Sequence, residues 1–270
     1  MKCSLTRKEA RTALSKNLVA AIASNFVFIL IILILNLGIT YLSNKFAGLD
    51  TFWNVLKVLL ILFIIPLAYG VSKTYVKIAN NEKVTATSFI GFGLSTISKS
   101  IGVFVNILIK VIPASVIVFL ISYFIIFGIV NIAHPIEDVV KIVSMFVYAA
   151  AAIAIVFIVI PYSFSLFILA EDDTIKAKDA VNKSKEILKG KVGEYIILIL
   201  SFIGWFILYE VLLLIIQINL PSIYSDLFSF IPTIFLTPYI LMTQYCYYDE
   251  AKADLQLERN DSKEESHEEE

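Results

Sequence analysis

Apolar residues along the chain fall into six long, nearly unbroken blocks, separated by shorter, more polar stretches. The blocks are Leu18–Leu42, Phe52–Tyr75, Ile101–Val130, Val143–Leu169, Tyr195–Ile216 and Tyr224–Tyr245. Each reaches about 20 residues, the minimum that crosses about 30 Å of hydrocarbon at a helical rise of 1.5 Å per residue. The runs are continuous, whereas strands of a membrane barrel alternate apolar and polar positions in short segments, so helices are expected. The pattern predicts an all-α, polytopic membrane protein with six transmembrane helices spanning 18–248. A basic arm, 1–17, precedes this domain, and an acidic tail, 249–270, follows it; "ERNDSKEESHEEE" reads as disordered.

Two segments depart from plain spans. The third block is too long for one straight crossing and predicts either one bent helix or an interfacial helix that bends at Pro113 into a span, led in by Ser88–Ser100 with Gly91 and Gly93. Between spans four and five, "DDTIKAKDAVNKSKEILKG" places Ile175, Ala180, Val181, Ser184, Ile187 and Leu188 at helical spacing, with lysines mostly elsewhere. Asp172 and Asp173 can cap such a helix, and Gly190 can stop it. This predicts an amphipathic cytoplasmic helix, 174–189, lying on the inner leaflet with Lys176, Lys178, Lys183, Lys185, Lys189 and Lys191 near anionic headgroups or a partner; the alternative is a solvated loop helix that touches no lipid. Gly190 and Gly193 then let the chain turn into the bilayer, with Glu194 and Tyr195 at the interface.

Composition strengthens the membrane reading. Of 270 residues, 59% are hydrophobic and 17% charged, and the mean hydropathy is +0.84; soluble domains carry about 45–50% and about 25%. Charge distribution adds an orientation. The N-terminal arm, second loop, fourth loop and tail hold 18 of the lysines and arginines, against Lys45 and Lys141 in the other loops. By the positive-inside rule both termini are cytoplasmic. No cleavable leader precedes the first block, which is expected to be retained as a span. Cys3 and Cys246 are too far apart in sequence to suggest a disulfide framework or a zinc site.

Candidate chemistry is sparse. Lys57, Lys110 and Glu210 are the ionisable residues inside spans, where such groups are costly and often functional. Lys57 lies within snorkelling reach of the outer interface. Lys110 and Glu210 could pair and offset each other's desolvation, although helical rise separates their depths by about 8 Å. Glu210 alone could face a polar cavity as a proton or cation site. Pro66, Pro113, Pro161, Pro232 and Pro238 fall inside spans, where neighbouring helices commonly satisfy the lost hydrogen bond. Trp205, Ser201, Gly204 and the alanines of Ala149–Ala154 suggest close packing between helices. His134 and His267 have no nucleophile or metal-ligand partner at usable spacing, and no phosphate-binding glycine loop is present. Neither catalysis nor a cofactor or metal is expected, and no nucleic-acid partner is expected.

Several stretches carry a resemblance. "VIPYSFSLFILAEDD" (Val159–Asp173), "AVNKSKEILKG" (Ala180–Gly190), "LSFIGW" (Leu200–Trp205), "TPYILMTQYCYYDEA" (Thr237–Ala251) and the opening "LTRKEARTALSKNLVAAI" together resemble domain-of-unknown-function family 975 of bacterial integral membrane proteins. The glycine common after the proline of "IPY" is missing here, and the third span is longer than usual. The resemblance implies a multi-pass protein of the bacterial cell membrane without an agreed activity. The family is remotely similar to the membrane region of some glycerophosphodiester phosphodiesterases, which implies an accessory role near lipid metabolism.

Two functions are consistent with these features. One is a non-enzymatic scaffold or accessory subunit acting through a membrane-protein partner or anionic lipids. The other is a small secondary transporter or permease-like protein, including immunity to a membrane-active peptide, that uses Glu210.

Overall fold

Residues 2–46, 48–133, 137–219 and 231–268 are described in a computed structural model of the protein, and among them there is no strand. The helices in chain order are α1 (Lys2–Lys16), α2 (Leu18–Lys45), α3 (Asp50–Ala79), α4 (Ser88–Ser95), α5 (Ile97–Ala133) and α6 (Glu137–Val159). A 3-10 turn, Ile160–Tyr162, leads to α7 (Ser165–Glu171), α8 (Ala177–Ile187), α9 (Val192–Leu200), α10 (Ile203–Asn219) and α11 (Ile231–Glu268).

Five helical segments of the described residues are long and apolar enough to cross a membrane: Leu18–Lys45, Asp50–Ala79, Ile97–Asn131, Val139–Glu171 and Val192–Ile218. They match the first five blocks of the sequence. Of the sixth, 224–230 lies outside the described residues, and the remainder forms the apolar first half of α11. The protein is therefore a helical, multi-pass membrane protein on length and apolarity.

Burial is uneven along the spans. Ile117, Phe124, Phe146 and Leu214 are all more than half exposed. Such continuous apolar surface is what a bilayer covers. The compact core sits at the end of the bundle that holds the basic loops, referred to below as the basal layer. There Leu67, Tyr69, Ile78, Phe89, Phe164, Leu169, Leu188 and Tyr248 are buried together. In that layer α3 crosses α4 so closely that a Cβ on Gly70 would lie 1.9 Å from the Phe89 carbonyl oxygen, and one on Gly93 2.5 Å from that of Pro66. Glycine is required at both positions by backbone contact.

Helix α2 contributes a polar side chain to this packing. Asn25, only 2% exposed, donates through Nδ2 to the backbone carbonyls of Thr233 at 2.7 Å and Ile234 at 3.3 Å on α11. Pro238 has no N–H for the carbonyl four residues earlier, that of Ile234. Asn25 supplies the missing donor from another helix.

Several sequence expectations are corrected. Of the two readings of the third block, a single helix is the one found: α5 is continuous through Pro113, and its first turns pack on α8. The helix expected over 174–189 spans Ala177–Ile187, and its apolar face is turned into protein: Ala180, Val181, Ser184 and Ile187 are buried in the basal core. Hydrophobic periodicity identifies such a face but not what covers it, and here the cover is protein rather than headgroups. The acidic tail is helical through Glu268, supported by ion pairs from Asp254 to Lys191 and from Arg259 to Glu186. Trp205 is 56% exposed, a Cβ on Gly204 would meet nothing within 4 Å, and Ala149, Ala150 and Ala152 are exposed, so these small residues do not form a tight helix contact.

Candidate functional site

The basal layer concentrates the polar chemistry. Its frame is set by Pro161, which ends the regular course of α6 in a 3-10 turn. The Ser184 hydroxyl on α8 donates to the Pro161 carbonyl at 2.9 Å and accepts the Phe164 N–H at 3.1 Å. Both backbone groups would otherwise lack partners in a buried turn. Phe164 then packs edge-on against Tyr195 at 4.9 Å and tilted against Tyr248 at 5.4 Å, joining α7, α9 and α11.

Two acids at the end of α7 tie the layer together. Glu171 closes α7, with its side chain 20% exposed. It accepts Tyr248 Oη–H at 2.7 Å and Tyr245 Oη–H at 3.2 Å, and pairs with Lys252 at 2.6 Å. All three partners lie on α11. Asp173, two residues on, accepts Tyr69 Oη–H at 2.6 Å and pairs with Lys73, both on α3. Lys99, on α5, donates to the Asp173 backbone carbonyl. Desolvation works to raise the Asp173 pKa, yet the hydrogen bonds from Lys73 and Tyr69 and the nearby charges of Lys73 and Lys99 outweigh it and hold the carboxyl below its usual value. Asp172 is held low as well, chiefly because its side chain accepts both the hydroxyl and the backbone N–H of Thr174. These aspartates therefore brace a turn and a helix interface. They do not cap α8, whose N-cap residue is Lys176 without a side-chain cap.

The two clusters flank a polar cleft of about 520 Å³ between α3, α7 and α11, where Lys77, Asn80, Glu82 and Asp249 also line the wall. Lys77 pairs with Glu82. The cleft carries both signs of charge, most of it already paired across helices. Among the described residues, no three of His, Cys, Asp and Glu stand close enough to hold a metal ion.

On the outer side of the layer, α8 exposes Lys176, Lys178, Lys183, Lys185 and Lys189. None of the five makes a salt bridge among the described residues. Lys191 differs: it pairs with Asp254 at 2.8 Å, and its carbonyl accepts Tyr247 Oη–H at 3.3 Å. It thus fastens α11 to the turn at Gly190, whose φ of +79° is the left-handed value that favours glycine after a helix.

Lys110 and Glu210 do not meet. Lys110 donates to Asn182 on α8 and lies 5.5 Å from the centre of the Tyr162 ring. Because α5 starts alongside α8, Lys110 reaches the basal layer. Glu210 is exposed on α10 and forms no ion pair with Lys110. Lys57 lines a pocket of about 370 Å³ with Asn36 and Thr40 near the opposite ends of α2 and α3.

Sequence reading did not single out Asn25, Glu171, Tyr245, Tyr248 or Lys252. A carboxylate at the apolar-to-polar boundary, followed much later by "YCYYDEAK", was the available signal; the pairing itself spans up to 81 positions.

Comparison with known proteins gives one match. A model of the family described as protein of unknown function, DUF975, matches residues 1–254. No curated protein and no solved structure matches the chain.

Proposed function

The chain belongs to the DUF975 family, and from that premise we propose that it is a non-enzymatic membrane scaffold or accessory subunit acting through protein partners or lipids. The observation that carries the proposal is the division of α8 into two faces. Its apolar face is buried in the chain's own core, so the helix is rigidly held, while five lysines remain exposed along it. Cations without salt bridges, held on both flanks of α8 and at its ends, suit an acidic partner segment or anionic headgroups. We further propose six spans, the sixth completed by the apolar start of α11. The basal layer faces the cytoplasm with both termini, as the distribution of lysine and arginine supports.

The transporter reading draws less support. It depends on Glu210 acting as an intramembrane site, and that residue is exposed on α10 without the Lys110 partner. The acids that are held in networks, Glu171 and Asp173, join helices at the basal layer.

Replacing Lys176, Lys178, Lys183, Lys185 and Lys189 together by glutamine tests the proposal against Glu210→Gln. Each full-length variant is isolated from native membranes in mild detergent, and copurifying proteins and lipids are quantified. The lysine variant is expected to lose its associated component, and Glu210→Gln to keep it. Loss in Glu210→Gln alone would favour the transporter.

A further inference from the structure

A second surface, away from the polar cleft and from α8, lies between α1, α10 and α11. It is a groove of about 540 Å³ with an almost wholly apolar lining. One wall carries Trp205, Leu208 and Leu212 on α10, spaced three and four residues apart and so on one helical face. The facing wall carries Ile231 and Tyr239 of α11, eight residues apart and likewise on one face. The helices run in opposite directions here, since Phe202 packs edge-on against Tyr239 at 5.5 Å at one end. Helical rise gives the groove a length of about 12 Å.

Arg11 stands at the Tyr239 end. Its Nε–H donates to Tyr239 Oη at 3.2 Å, and its guanidinium carbon lies 5.5 Å from the centre of the Tyr239 ring. Its two terminal nitrogens make no hydrogen bond or salt bridge among the described residues. A guanidinium held at one end of an apolar slot, with its bidentate face unused, matches a phosphate attached to a hydrocarbon chain. Arg11 lies on α1, about two helical turns before the first membrane helix, α2, begins at Leu18. The slot continues from there along α10 and α11, where Trp205, Leu208 and Leu212 are at least half exposed.

We propose that this groove binds one phospholipid of the surrounding bilayer, with an acyl chain between α10 and α11 and the phosphate on Arg11. The groove's volume falls in the range of about 300–1,000 Å³ typical of small-molecule sites. The inference deepens the reading proposed above and rests on its placement of α10 and α11 in the bilayer. Its test leaves the α8 lysines as a separate variable.

The full chain in mild detergent is titrated with phosphatidylglycerol, and retained lipid is counted by native mass spectrometry. Diacylglycerol with the same acyl chains serves as the phosphate-free probe. One phosphatidylglycerol per chain is expected to be retained, at least tenfold more strongly than diacylglycerol. Arg11→Gln should reduce retention about tenfold, Arg11→Lys should restore part of it, and Leu208→Trp, which fills the slot, should abolish it. Because Arg11 is exposed at the rim, the glutamine and lysine pair decides the matter even if the tryptophan variant fails to fold. Equal retention of both lipids, or unchanged retention in Arg11→Gln, would overturn the proposal. Loss of lipid on replacing the α8 lysines, with none on replacing Arg11, would overturn it as well and move the lipid to α8. Loss on replacing Arg11 alone leaves the α8 reading untouched.

Discussion

The Ser184 hydroxyl donates to the Pro161 carbonyl at 2.9 Å across 23 positions of sequence, and the same oxygen accepts the Phe164 N–H. One small side chain thereby satisfies both backbone groups left open where α6 gives way to α7, and it fixes α8 against that turn. The exposed lysines of α8 owe their fixed placement to this clasp.

Ser184→Ala should therefore weaken the fold more than a typical surface change. A buried N–H left without its acceptor costs about 1–3 kcal/mol. Thermal unfolding in detergent, compared with Ser95→Ala as an exposed control whose hydroxyl bonds only locally, measures it; equal midpoints would show that the clasp contributes nothing.

Glu171 and Tyr248 are expected to act as a unit. Glu171→Gln and Tyr248→Phe should each destabilise, and the double variant should lose less than the sum, with a coupling of about 0.5–3 kcal/mol for groups in direct contact. A double-mutant cycle read by denaturant or heat gives the coupling, and strict additivity would mean that the 2.7 Å contact is energetically silent.

Asp173 makes an acid-dependent contribution. Its folded pKa is depressed, so the stabilisation is present above the unfolded carboxyl pKa and is lost as pH falls through the lower folded value. As pH falls below the ordinary carboxyl value, Asp173→Asn protein should lose less stability than the parent. Half of the side chain is exposed, so the difference is modest. Parallel acid limbs in the two proteins would remove Asp173 from the account.

Asn25 and Pro238 form the fourth test. Asn25→Ala should cost about 1 kcal/mol, within the range for side-chain hydrogen bonds between membrane helices. In a Pro238→Ala background, which restores a backbone N–H to the Ile234 carbonyl, the cost should shrink. An unchanged cost would assign Asn25 to packing alone.

Glycine contacts give a contrast within one protein. Gly70→Ala should impair folding, because the added methyl meets the Phe89 backbone, whereas Gly204→Ala meets nothing and should be neutral or slightly stabilising. Expression and thermal midpoint of the pair decide it.

Much of this architecture was legible from the chain. Long apolar blocks announced the spans, and Gly190 marked the end of α8 before its φ of +79° was seen. Helical spacing also picked out Ala180, Val181, Ser184 and Ile187 as one face. That spacing could not say whether the face meets lipid or protein, because both reward the same residues. The reverse error fell on Trp205 and Gly204, which look like packing residues and lie open beside the groove. Contacts such as Tyr69 to Asp173, 104 positions apart, leave no local periodic trace. Whether Lys110 meets Glu210 was not legible: counting residues along α5 gives a depth only if the helix starts at the membrane, and its first turns lie against α8 instead.

The most direct test of the central claim is photo-crosslinking from α8 in native membranes. A photoreactive residue replaces Lys185 in the otherwise unchanged full-length chain, and one at Ile117, on the apolar surface of α5, serves as the comparison. The account predicts a discrete protein or anionic-lipid adduct from position 185 that is absent from position 117 and lost when the other four exposed lysines are replaced by glutamine. No adduct at 185, or one that persists without those lysines, would contradict it.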